Sequence, residues 1–154
     1  MSKNKINRLI EKIRKEDLFP LGKPVSDSAF MKLKHSLHLE GFPDLGGGMY
    51  ELFRLVDGIA YNGVELFSVS PRAFREGDYI LPDLISSNKN FRDYYSGYDS
   101  YKISFLYIGR TDEDLLIFDA ETGMYMICAR EDFMAYEETS DFDEFLGLVF
   151  KGRI

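Results

Sequence analysis

Two histidines, His35 and His38, stand three residues apart in the run Lys34-His35-Ser36-Leu37-His38. On a helix that spacing puts both imidazoles on one face. A metal ion would need at least one further ligand brought in by the fold. No acid lies between them, so this is not the His-Glu-x-x-His pattern of zinc hydrolases, and the pair reads as two side chains on a polar helix face. The one cysteine, Cys128, sits in Met126-Ile127-Cys128-Ala129. A nucleophilic thiolate wants an electropositive, partly open setting with a base nearby. Nothing near Cys128 in sequence supplies that, so it reads as a small buried hydrophobe. One cysteine also excludes an intrachain disulfide and a cysteine-based zinc site. No Gly-x-Ser-x-Gly elbow occurs. Gly46-Gly47-Gly48 precedes a helix, whose N-terminus is a place to hold phosphate. Yet no strand leads into it and no Lys-Ser/Thr follows, so it reads as a flexible or sharply turned connection. Asp112-Glu113-Asp114 and Asp119-Ala120-Glu121 lack the spacing of a calcium loop and read as hairpin turns. No catalytic constellation, cofactor site or metal site is expected.

The elements that position these residues follow from hydrophobic period. Ile6, Leu9, Ile10 and Ile13 recur as on one face of a helix over about 3–15. The prolines of Phe19-Pro20-Leu21-Gly22-Lys23-Pro24 end it. Ser26 or Ser28 is a fitting N-cap for a second helix over 27–39, with Phe30, Leu33 and Leu37 turned inward. A third helix, over 48–57, carries Met49, Leu52, Phe53 and Val56 and stops at Asp57-Gly58. After the turn at Asn62-Gly63, residues 64–69 read as a strand rich in β-branched and aromatic side chains. The stretch 72–102 is least legible. A helix can begin near Pro82, and Phe91 to Tyr101 reads as an aromatic loop or frayed helix. Short apolar runs at 103–109, 115–119, 124–129 and 133–137 with short polar connections predict an antiparallel meander. Asp141 or Ser140 then caps a last helix over 141–150. The order predicts an α+β fold, a mainly antiparallel sheet with helices packed against it. The 154 residues fit one domain: a basic helix and linker over 1–25, then a core over 26–154.

Charge is unevenly spread. The net charge is −7, which argues against general nucleic-acid affinity because neutralising phosphates takes a basic face. Residues 1–15 hold six bases and one acid, whereas residues 111–144 hold twelve acids and one base, Arg130. An acidic half of this kind steers basic partners at long range, and it also reads as a solvated face that maintains solubility. The apolar runs fall well short of the roughly 20 residues of a membrane span. The charged N-terminus does not read as a secretory signal. A cytoplasmic protein without membrane attachment is expected. Tyr94, Tyr95, Tyr98 and Tyr101 fall within eight residues; such a cluster packs a core or, since tyrosine is enriched at interfaces, forms a contact surface.

Phe42-Pro43-Asp44, Tyr50-Glu51-Leu52-Phe53, Asp57-Gly58 and Asn62-Gly63-Val64-Glu65-Leu66-Phe67 follow one another in an order that resembles the SUKH superfamily, relatives of a yeast glucan-synthesis regulator. Downstream, Phe105-Leu106-Tyr107-Ile108-Gly109-Arg110, Leu116-Ile117-Phe118-Asp119, Gly123-Met124-Tyr125 and Phe142-Asp143-Glu144-Phe145-Leu146 extend the resemblance over about residues 26–150. It implies an α+β fold without enzymatic activity. For bacterial members it implies immunity proteins that neutralise polymorphic toxins, often nucleases; fungal members are linked to cell-wall synthesis and signalling. It carries no catalytic residue over. The expectation is therefore a non-enzymatic protein-binding module, immunity-type, whose partner is a basic toxin domain. Asp112, Glu113, Asp114, Glu137, Glu138 and Asp141 are the candidate steering charges, and Tyr94, Tyr95 and Tyr98 the candidate anchors. The alternative is a small-molecule-binding or regulatory domain using the sheet face or a cleft.

Overall fold

The computed structural model describes residues 2–16, 21, 23–71 and 75–154. In chain order the elements are α1 (Ser2–Glu16), α2 (Asp27–Leu39), α3 (Gly47–Phe53), β1 (Ile59–Tyr61), β2 (Val64–Leu66), β3 (Arg75–Glu76), β4 (Tyr79–Ile80), α4 (Leu84–Tyr95), β5 (Phe105–Thr111), β6 (Asp114–Asp119), β7 (Met124–Ala129), β8 (Ala135–Thr139) and α5 (Phe142–Val149). One sheet holds six strands in the order β1-β2-β5-β6-β7-β8, every neighbour antiparallel. The architecture is α+β, as the order of elements predicts. No helix among the described residues is long and apolar enough to cross a membrane.

The central strands read as continuous apolar runs because helices cover both faces of the sheet. Leu106, Phe118 and Tyr125 share a row. On that face Tyr125 meets the rings of Phe142 and Phe145 of α5 at 5.0 and 5.3 Å. Tyr107, one residue on from Leu106, points to the opposite face, where Phe91 of α4 stacks on it at 4.9 Å. Ile6, Ile10 and Ile13 of α1 lie in the same buried cluster as the sheet residues. Burying three isoleucines contributes on the order of 2 kcal/mol each, which ties the N-terminal helix to the rest.

Caps set the helix starts. The Ser26 hydroxyl accepts from Ala29 N at the head of α2, and Asp83 and Asp141 do the same for α4 and α5, each worth about 1 kcal/mol. The proline-bounded stop read after α1 lies largely outside the described residues. The triple glycine proves to be a matter of close approach. A Cβ on Gly46 would run into the Tyr125 hydroxyl and one on Gly48 into the Phe142 ring, while Gly47 faces open space.

Several sequence expectations need correction. The third helix ends at Phe53 rather than near 57, its chain continuing through turn-like bonds from Leu55 N and Val56 N to Leu52 O. A strand, β1, precedes Asn62-Gly63; both turn residues have positive φ, 45° and 82°, as a two-residue hairpin requires. Three residues are too few for β1 to show a period. The strand read over 64–69 stops at Leu66, where Phe67 N still donates to Ile108 O before the chain leaves. The fourth helix, α4, carries the buried row Leu84, Asn88 and Phe91. A polar residue in the middle of that row hides the period from the sequence. The meander strands β5 and β8 begin two residues later than read, so Phe133 and Met134 belong to a loop.

Candidate functional site

The loop between β7 and β8 touches two groups of the predicted residues, the tyrosines through Phe133 and the acidic β5–β6 turn through Tyr136. Phe133 N donates to Ala129 O and Ala129 N to Met134 O, both at 3.0 Å. Phe133 takes a positive φ of 62°, a conformation unfavourable for a bulky residue. Its ring explains the tolerance: it is buried against Phe91, Tyr95 and Phe105 at 5.3, 5.0 and 5.5 Å. Turning Phe133 inward leaves its chain neighbours outside, and Met134 is 56% and Tyr136 58% exposed.

The tyrosine cluster lies beside this loop. Tyr94 meets Tyr95 at 4.7 Å, and Tyr98 meets Tyr95 at 5.0 Å. Tyr95 is half inside, its hydroxyl donating to Arg130 O at 3.3 Å, whereas Tyr94 is 67% exposed. Tyr95 thus fastens the cluster and Tyr94 and Tyr98 present it.

The acids separate into groups. In the β5–β6 turn, Thr111 Oγ1 accepts from Glu113 N at 3.2 Å and Asp114 N at 3.0 Å, which fixes the turn. Glu113 is exposed. Asp112 pairs with Arg153 at 2.9 Å, and that hydrogen bond holds its pKa below the usual carboxylate value. Asp114 accepts from the Tyr136 hydroxyl, joining the acidic turn to β8. Burial first, then Asp114, Glu113 and Glu137, push the Tyr136 pKa up. Glu137 and Glu138 are exposed on β8, an edge strand. Asp141 falls elsewhere. Asp114 pairs with Ala129 and Thr139 with Tyr125, so Asp141, beyond Thr139, stands at the other end of the sheet with its carboxylate capping α5.

The chemistry-bearing residues are not gathered. His35 and His38 are exposed on α2. Among the described residues no group of three or more His, Cys, Asp and Glu is placed to hold a metal. Cys128 is buried, and burial, reinforced by Asp114, Glu138 and Asp132, pushes its pKa up to about 12, which keeps the thiol protonated at neutral pH. A groove of about 860 Å³ is lined by Phe30, Met31, Lys34, Tyr50, Glu51 and Arg54 among others. It lies between α1, α2 and α3 rather than at the tyrosine surface.

Sequence reasoning missed Met134, Tyr136 and Arg130 as members of this surface. The available signal was Tyr136 amid acids, but reading 133–137 as a strand concealed which residues the loop turns out. No protein-family model and no curated protein matches the chain.

Proposed function

We propose that this chain is a non-enzymatic protein-binding module, of the toxin-neutralising immunity type found in the SUKH superfamily it resembles, and that its partner is a basic protein domain. The observation that carries the reading is the patch around the β7–β8 loop. Exposed Met134 and Tyr136 follow the buried Phe133, and Tyr136 is bonded to Asp114 and followed by the exposed Glu137 and Glu138. Tyr94 and Tyr98 flank Tyr95, which packs on Phe133. Rigid aromatic anchors inside a charged rim are what interfaces use: tyrosine and methionine are enriched at their cores and rim charges steer the encounter. Asp112 is partly neutralised by Arg153 and Asp141 serves a helix, so neither is assigned a leading part. The buried, protonated Cys128 and the exposed histidines favour binding over catalysis.

The test is co-purification of the tagged chain with the polypeptides encoded beside its gene, with growth rescue when such a polypeptide is toxic. A stoichiometric complex with a basic toxin domain, weakened by Tyr136→Ala, supports the reading. Failure of every flanking product to bind overturns it. The second reading, a small-molecule or regulatory domain, rests on the groove between α1, α2 and α3, whose volume falls within the range of ligand pockets, roughly 300–1,000 Å³. A ligand thermal-shift screen addresses it, since a true ligand raises the melting temperature by mass action.

A further inference from the structure

A second concavity, which shares Arg130 with the surface above, opens where β1 turns into β2. It has a volume of about 390 Å³, and its walls include Tyr61, Glu65, Tyr79, Arg110, Asp112 and Arg130. Glu65 and Arg110 face each other across the β2–β5 pair and form an ion pair, while the other Glu65 oxygen accepts from the Tyr79 hydroxyl. Asp112, on the rim, is paired with Arg153, which also donates to Asn62 O at 2.9 Å. Both carboxylates are therefore matched by a guanidinium.

Arg130 is the odd charge. It follows Cys128 by two residues on the sheet face that Leu115 and Arg110 share. One terminal nitrogen, Nη2, donates to Thr111 O, but the Nε–H is buried with no acceptor. Among the described residues no carboxylate stands within ion-pair distance of it. Arg130 thus stands in a concave site with an unused donor and no directly bonded carboxylate, its nearest countercharge being Asp112, which is bonded to Arg153 and feels Arg130 only through space.

We infer that this cleft binds an oxyanion, the carboxylate or phosphate group of a small ligand, with Arg130 as its main donor and Arg110 lining the same cleft. A guanidinium with no bonded carboxylate and an unsatisfied Nε–H beneath the surface is unfavourable, and an oxyanion held at its remaining terminal nitrogen supplies the countercharge. The guanidinium fork matches the two oxygens of a carboxylate or phosphate. The volume suits a small molecule, near the lower end of known ligand sites. The tyrosine rings of Tyr61 and Tyr79 give the remainder of such a ligand an amphipathic wall.

The experiment is a titration of the ¹⁵N-labelled full chain with inorganic phosphate, and separately with citrate, against chloride at matched ionic strength, following the arginine Nε–Hε signals. The inference expects a saturable shift of the Arg130 signal with phosphate or citrate and none with chloride. Arg130→Lys, which keeps the charge but loses the fork, should bind at least about tenfold more weakly. An Arg130 signal that does not move, or moves without saturating and equally in chloride, overturns it. So does unchanged binding in a folded Arg130→Lys variant. If that variant does not fold, the saturation of the Arg130 signal in the native chain decides alone.

Discussion

Asn88 joins α4 to the sheet with its amide fully engaged. Its Nδ2 donates to Leu84 O and Tyr107 O and its Oδ1 accepts from Tyr107 N, each at 2.8 Å. The reason lies in β2, which ends at Leu66, its last bond to β5 running from Phe67 N to Ile108 O. The Tyr107 backbone groups beyond it have no ladder partner on that side, and Asn88 takes them. Asn88→Leu should therefore destabilise the protein by about 2–4 kcal/mol despite being apolar, because it strands two buried backbone groups; denaturant unfolding measures this. A loss under 1 kcal/mol would remove Asn88 from that role. On the surface, Asp112 offers a titration test. Its pKa is lowered by the bond to Arg153, so the interaction is present at neutral pH and is lost as pH falls through the folded-state value. In Arg153→Gln the Asp112 carboxyl should titrate nearer the ordinary value, as followed by carboxyl-carbon NMR.

At the scale of elements, α3 and α5 meet where glycine is required. Gly48→Ala should cost about 1–3 kcal/mol, since the added methyl overlaps Phe142 of α5. Gly47→Ala, next to it but facing open space in the first turn of α3, should be neutral or stabilising by up to about 1 kcal/mol. Equal effects at the two positions would contradict the packing described. The same elements show what a sequence reveals. The meander was legible because β5, β6 and β7 are apolar runs divided by short polar turns. The caps of α2 and α5 were legible because Ser26 and Asp141 precede apolar periods. α4 was obscured by Asn88, whose reason for being buried sits on a different strand. The surface proposed to bind was half legible: Tyr94, Tyr98 and the acids stand out by composition. Met134 and Tyr136 depend on the left-handed Phe133, a conformation fixed by its ring's tertiary contacts and not by neighbours in sequence.

Over the whole molecule, charge and topology act together at β8. This edge strand carries Glu137 and Glu138, and its register shifts beside Tyr136, between the pairs Ile127–Glu137 and Cys128–Ala135. Acidic side chains and a bulge both discourage an edge from pairing with another copy. Replacing Glu137 and Glu138 together by valine should therefore promote self-association, visible by sedimentation velocity. On the proposed function, the carboxylates that repel a second copy are also the ones that attract a basic partner. The most direct measurement of the proposal is the association rate of whichever basic partner co-purifies with the chain, taken by stopped flow across a range of salt. The account predicts that Glu137→Lys with Glu138→Lys slows association and flattens its salt dependence, whereas Tyr136→Ala chiefly speeds dissociation, by a factor equivalent to about 2 kcal/mol. An association rate indifferent both to salt and to the two lysine reversals would contradict it.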